Sequence, residues 1–260
     1  MNSIACFKAY DLRGRIPNEL NDDVAYRVAR GYAQFLQPKR IVVGRDIRLS
    51  SAALTDAVCK GLTDSGVDVY DIGLCGTEGV YFATFDGGYD GGIMITASHN
   101  PPDYNGMKFV REQSKPISGD NGLAEIRGFA ERAAFPGSNR PGVRHRIDTT
   151  EAYVRHLLSY VDIATLKPLK IVVNAGNGGA GLVIDKLEPH LPFKFIKVHH
   201  QPDGHFPNGI PNPMLEENRK PTVEAIRAHG ADFGIAWDDP RVRHLWSTET
   251  PTLSARDQQA

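Results

Sequence analysis

Within "GGIMITASHNPPDYNGMKF", Gly91–Phe109, a run of apolar residues ends abruptly on Ser98, His99 and Asn100, and Lys108 follows before the stretch closes. These are side chains able to carry a phosphoryl group or move a proton. Pro101 disfavours the α region for Asn100, so the loop cannot continue as helix and holds the serine on a turn of restricted shape. A hydroxyl fixed at a strand's end meets a substrate at a set distance, and positioning of that kind lowers a reaction barrier. A side-chain-capped turn without chemistry draws on the same residue types, so the local pattern leaves both readings open. Extended backbone here would point His99 away from Ser98. No Gly-x-Ser-x-Gly elbow surrounds the serine, which argues against a hydrolase triad.

The elements that must position this loop alternate between strand and helix, the pattern of an α/β protein. In the first half "RIVVG", "VDVYDIG" and "GGIMIT" read as strands. Between and before them "NDDVAYRVARGYAQFL", capped by Asn21, and "SSAALTDAVCKGLTDSG", stopped by Gly66, read as helices. The second half repeats the grammar. A helix at "TTEAYVRHLLSYV" precedes the strands "KIVVNAG", "FKFIKVH" and "DFGIAW", and the intervening helices span Gly181 to about Leu187 and "KPTVEAIRAHG". Each third strand delivers a polar loop, "TASHN" in one half and "DDPR" in the other. The expectation is two related α/β domains, 1–140 and 145–239, joined near the Pro/Gly-rich "FPGSNRPGVRH". In open α/β sheets ligands gather beyond the carboxyl ends of strands, where both polar loops would stand.

Formal net charge is −1 over 260 residues, so no basic field argues for nucleic acid or an acidic membrane surface. No run approaches the ~20 apolar residues that span a bilayer, and no basic start leads into an apolar segment. The chain reads as cytoplasmic. Cys6, Cys59 and Cys75 have no metal-ligand spacing and read as reduced structural thiols. "GNGGAG", Gly176–Gly181, satisfies G-x-G-x-x-G, but the next strand ends in His199 and His200 rather than the acidic residue a dinucleotide ribose requires. His199, His200 and His205 fit no zinc spacing and read as part of a polar loop.

"TASHNPPDYNGMKF" resembles the phosphoserine loop of the α-D-phosphohexomutases, the phosphomannomutase/phosphoglucomutase family. "FKAYDLRG" (Phe7–Gly14) and "VGRDIRLSS" (Val43–Ser51) resemble its first two signatures, and "VVNAGNGGAG" and "PDGHFPNGIPNP" its second-domain signatures. The wording "GTEGVYFATF" and "GNGGAG" is most similar to the bacterial mannose-type members. The resemblance covers Ile4 to Asp238 and implies two related three-layer domains, each a mixed β-sheet between helices. It also implies phosphoryl transfer through Ser98, converting mannose 6-phosphate to mannose 1-phosphate by way of a hexose 1,6-bisphosphate, on a route to GDP-mannose and surface polysaccharide. Phosphoglucomutase specificity is the alternative. By the same resemblance His99 and Lys108 would transfer protons and Arg13 would join the catalytic set. Tyr10, Asn100 and Arg45 would contact the phosphosugar.

The family binds Mg²⁺ through a serine phosphate oxygen, here on Ser98, and a loop written D-G-D-x-D-R. Three carboxylates at alternating positions can place oxygen ligands on one hard cation. In this chain Asp238 matches the first, but the next two positions are Pro240 and Val242, and Asp239 stands where glycine belongs. Residues 240–260 read as a divergent tail, of which "HLWSTETPTLSARDQQA" (from His244) matches nothing in the family and shows no α/β pattern. The expectation is therefore an incomplete metal site, a divergent and disordered tail, and a truncated, poorly active or non-catalytic chain.

Overall fold

In the computed structural model the described residues are 3–238 and, for the backbone, 241–247. The chain divides into two compact units, 1–149 and 150–260.

In the first unit the elements follow in the order β1 (Leu12–Arg15), α1 (Asp22–Leu36), β2 (Arg40–Arg45), α2 (Ser51–Asp64), β3 (Asp68–Leu74) and α3 (Thr77–Asp86). They continue with β4 (Gly91–Ile95), β5 (Tyr104–Arg111), α4 (Leu123–Arg132) and β6 (Arg144–Arg146). The sheet order is β1-β5-β4-β2-β3-β6. Strands β4, β2, β3 and β6 run parallel; β5 pairs antiparallel with β4, and β1 pairs antiparallel with β5. Side chains alternate across the pleat. Ile41, Val43, Ile93 and Ile95 therefore meet Leu54, Val58, Leu62 and Tyr32 on one face, while Val42 and Met94 meet Val80 and Ala83 of α3 on the other. Burial of each such aliphatic side chain stabilises the layers by about 1.5–3 kcal/mol.

The second unit contains α5 (Thr150–Leu158), β7 (Lys170–Asn174), α6 (Ala180–Leu187), β8 (Lys194–Val198), α7 (Lys220–His229), β9 (Phe233–Asp238) and β10 (Arg241–Ser247). Its sheet order is β10-β9-β7-β8, with β9, β7 and β8 parallel and β10 antiparallel. Ile171 and Val173 pack toward Ile184 of α6, and Val172 and Ala236 toward Ile226 of α7. The trio β9-β7-β8 repeats β4-β2-β3 of the first unit, and β10 takes the place that β5 holds beside β4. Two related mixed-sheet domains, as expected, share one plan.

Local signals account for the helix ends. The Asn21 side chain accepts from Val24 N at 3.0 Å, the N-cap that the sequence announced. Gly230, with φ 55°, closes α7 in the left-handed conformation that glycine adopts without penalty. Elements absent from the sequence reading are β1, α3, β5, α4, β6 and β10. Strand β1 has only four residues, and β5 carries Asn105 and Gly106 among its apolar positions, so neither shows a clean period. Strand β10 corrects the expectation of a patternless segment after Asp238. Its backbone pairs from Arg241↔Asp238 to Ser247↔Phe233, with a register shift between Val242 and His244 that breaks the alternation. Residues 248–260 lie outside the described residues.

Candidate active site

Strand order reverses where β2 meets β4, since the chain leaves β2 for β3 on one side and β4 lies on the other. Ligand clefts of open α/β sheets form at such a switch point, beyond the carboxyl ends of the strands. Strand β2 ends there in Arg45, followed by Asp46 and Arg48, and β4 runs into Thr96, Ala97 and Ser98.

Ser98 does not continue the strand. Asn100 N donates to Ala97 O at 3.0 Å, closing a turn in which Ser98 has φ 50°. A left-handed φ on a non-glycine residue is uncommon and persists only where its surroundings enforce it. This corrects the extended backbone assumed for the placement of His99, because the two side chains leave a turn. The enforcement is visible on both sides of the residue. Ser98 N donates to Thr96 Oγ1 at 3.0 Å, and Ser98 O accepts from Arg48 Nη2 at 2.6 Å. Ser98 is 6 % exposed.

Arg48, absent from the sequence-derived candidates, organises the whole loop. Nη2 also donates to Asn100 O at 2.6 Å, and Nη1 donates to Pro101 O at 2.7 Å and Tyr104 O at 3.0 Å. Its Nε faces Asp46 Oδ2 at 3.4 Å, with both side chains 1 % exposed. Asp46 Oδ1 accepts from Ser51 Oγ at 2.5 Å and Arg48 N at 3.0 Å. Burial pushes the Asp46 carboxyl up, against the opposing hydrogen bond from Ser51 and the charge of Arg48. Asn105 Nδ2 completes the cluster by donating to Ser50 Oγ at 2.8 Å and Ser51 Oγ at 2.9 Å. The serines that begin α2 thus serve this network, and Ser50 makes no side-chain cap bond of its own. The one available sequence signal was the Asp46-x-Arg48 pair just past a strand that neighbours β4.

Other candidates converge on the same corner. Arg13 lies on β1 opposite Gly106 of β5; its Nη1 donates to Asn100 Oδ1 at 2.5 Å and its Nε to Asp11 Oδ2 at 2.9 Å. Lys108 sits two residues beyond Gly106 and shares its face, so Arg13 and Lys108 project from neighbouring strands on one side of the sheet. A Cβ at Gly106 would come within 2.1 Å of Leu12 O and 2.9 Å of Thr96 O, so glycine is what lets β1 and the end of β4 close on β5. Arg45 is partly buried at the end of β2, in register with Ile95. Tyr10 is 77 % exposed ahead of β1.

Asp238 ends β9 of the second unit and is buried. Asp239 and Pro240 lie outside the described residues, as does the side chain of Val242. Among the described residues no group of three or more His, Cys, Asp or Glu could hold a metal ion. One carboxylate, followed by proline and valine at the alternating positions, does not fit the three-carboxylate Mg²⁺ loop. Two of the three histidines of the polar loop have separate carboxylate partners: His200 Nε2 meets Asp185 Oδ1 at 2.8 Å and His205 Nδ1 meets Asp203 Oδ1 at 2.9 Å. Among the described residues no helix is long and apolar enough to cross a membrane.

A three-layer α/β unit with a serine turn at its switch point, repeated by a second unit of the same plan, is the architecture that the resemblance to the phosphohexomutases implies. Residues 5–136 match the family model "Phosphoglucomutase/phosphomannomutase, alpha/beta/alpha domain I", and residues 151–242 match "alpha/beta/alpha domain II". The chain belongs to the phosphoglucomutase/phosphomannomutase family of enzymes. It is 57 % identical over 246 residues to a phosphomannomutase of Escherichia coli, covering 92 % of this chain and 54 % of that protein. It is 59 % identical over 237 residues to phosphohexose mutases of Xanthomonas campestris, covering 91 % and 53 %. Among solved structures, a phosphoglucomutase/phosphomannomutase family protein from Burkholderia thailandensis matches with a TM-score of 0.83 at 35 % identity, covering 92 % of this chain and 53 % of the other. The chain spans about half the length of the curated relatives it matches.

Proposed function

We propose that Ser98 is the phosphoryl-carrying residue of a phosphomannomutase-type site. The observation that carries this reading is the strained Ser98 turn at the β2/β4 switch point, with the Arg13–Asn100 pair directly beside it. In one half-reaction the P–O bond to Ser98 Oγ breaks and a new P–O bond forms to a hydroxyl oxygen of a hexose monophosphate. The hydroxyl's proton passes to a base, with Lys108 and His99 the candidates, and Ser98 Oγ takes up a proton. After the bisphosphate reorients, Ser98 recovers a phosphoryl group from its other end and the same steps run in reverse. Such transfers rest on positioning and on neutralising the charge of the phosphoryl oxygens. Arg13 supplies a guanidinium for that purpose, and Asn100, Tyr10 and Arg45 contact the substrate.

Mannose 6-phosphate and mannose 1-phosphate are the proposed pair, on a route to GDP-mannose, with hexose 1,6-bisphosphate as intermediate and activator. Glucose phosphates are the alternative substrates. Mg²⁺ is the cation that the family resemblance implies, but the donor set around Asp238, followed by Pro240 and Val242, does not fit it. That departure favours slow turnover by this chain, and in its extreme form a second reading in which the chain does not catalyse the full cycle.

The test is a coupled assay of the purified chain with mannose 1-phosphate, Mg²⁺ and a hexose 1,6-bisphosphate. The expected outcome is slow conversion that disappears in Ser98→Ala. Turnover unchanged by Ser98→Ala would overturn the proposal.

A further inference from the structure

We propose that Arg48 is a positioning residue whose guanidinium sets the conformation of the Ser98 loop, with Asp46 orienting it. The role deepens the phosphoserine reading and rests on it for its catalytic consequence, although its structural part stands on geometry alone.

A guanidinium has five N–H donors in a rigid plane and stays charged at every accessible pH. Four of those of Arg48 are committed to carbonyl oxygens of Ser98, Asn100, Pro101 and Tyr104, at 2.6–3.0 Å. The fifth donor, Nε, lies 3.4 Å from Asp46 Oδ2, at ion-pair distance without a hydrogen bond between the two atoms. One side chain from the end of β2 therefore gathers the main chain between β4 and β5. The residues it holds are those that matter to the site. They include Ser98 itself, Asn100, which meets Arg13, and Tyr104, whose hydroxyl accepts from Arg15 Nε at 2.9 Å. Four buried carbonyl oxygens directed at one point repel one another unless a cation sits there, so the turn and the left-handed Ser98 depend on that cation. Asp46 compensates the buried charge and is itself held by Ser51 and the Arg48 amide. A lysine in the same place offers one ammonium on a flexible stem and cannot reproduce a planar fork spanning seven residues of loop.

The experiment compares the full chain with Arg48→Lys, which preserves charge opposite Asp46, and with the neutral pair Asp46→Asn/Arg48→Gln, which leaves no unpaired charge should the lysine variant fail to fold. Hydrogen exchange is followed for amides within 98–104 and, as an internal reference, within β2 and β4. Uptake of phosphate by Ser98 from hexose 1,6-bisphosphate is followed by intact mass. In either folded variant, exchange in 98–104 is expected to rise at least about tenfold, the scale of one lost charge-assisted hydrogen bond, with β2 and β4 unchanged. The maximal rate of phosphate uptake is expected to fall by a similar factor, while the bisphosphate concentration for half-maximal rate stays within about twofold of wild type. Loop exchange at the wild-type level in a folded variant would overturn the proposal. So would a rise spread uniformly over β2, β4 and the loop, which marks a merely structural residue. If wild-type protein takes up no phosphate, the phosphoserine reading fails, and the exchange data still decide whether Arg48 holds the loop.

Discussion

Charge at the serine turn is concentrated in two arginines with different tasks. Arg48 is sealed in the interior and spends its donors on backbone, whereas Arg13 retains partial exposure and reaches Asn100 and Asp11. Arg13 is the guanidinium available to a phosphoryl group. Arg13→Ala is expected to lower the rate of Ser98 phosphorylation by about 10²–10³-fold, the usual effect of removing one fixed donor from a transferring group, with the melting temperature little changed; equal rates would show that Arg13 only ties Asp11 to Asn100. The thiols behave oppositely to an active-site group. Burial pushes Cys6 up to about 11 and Cys59 up to about 12, so neither offers a reactive thiolate near neutrality. Titration of native protein with a thiol reagent at pH 8 is expected to report Cys75 alone, and rapid labelling of all three would contradict the burial of Cys6 and Cys59.

At the scale of elements, the loop is held because β2, β4 and β5 end or begin at one corner, and the distant edge of the same sheet has its own tie. Arg144 of β6 donates from Nη2 to Asp71 Oδ2 of β3 at 2.7 Å and from Nη1 to Asp56 Oδ1 of α2 at 2.7 Å. Asp71 is buried, so Arg144→Ala leaves a carboxylate without its guanidinium. Because Arg144 is itself partly exposed, the expected loss of stability is about 1–3 kcal/mol, measured by urea unfolding; no change would mean that the Arg144 ion pairs contribute nothing to the sheet. Much of this layout was legible beforehand. Strands β2, β3, β4, β7, β8 and β9, α1 with its Asn21 cap, α2 and α7 follow from hydrophobic period and end signals. Short β1, glycine-interrupted β5 and bulged β10 were not, because these antiparallel strands take their identity from partners rather than from their own alternation. The site was legible in part for a similar reason. Ser98, Asn100 and Arg13 could be named, but Arg48 could not be distinguished from Arg45, since only the fold reveals which of them turns inward against the loop.

Over the whole molecule, one plan is written twice, with a serine turn at the end of β4 and Asp238 at the end of β9. The second unit also carries a charge cluster of its own. Burial pushes the Asp185 carboxyl up, but hydrogen bonds from Lys197 and His200 more than reverse this and hold it below the usual carboxylate range. A depressed carboxylate stabilises the fold above its unfolded pKa of about 4 and loses that contribution as pH falls through the folded value. The melting temperature of wild-type protein is therefore expected to drop more steeply than that of Asp185→Asn as pH falls below about 4, and parallel curves would contradict the ion pairs. The central claim is that the strained hydroxyl at the β2/β4 corner carries a phosphoryl group. Its most direct test is incubation of the purified chain with hexose 1,6-bisphosphate, followed by intact mass and peptide mapping. One phosphate per chain located on Ser98, and none in Ser98→Ala, is the predicted result; an unmodified chain, or phosphate on another residue with Ser98 bare, would contradict it.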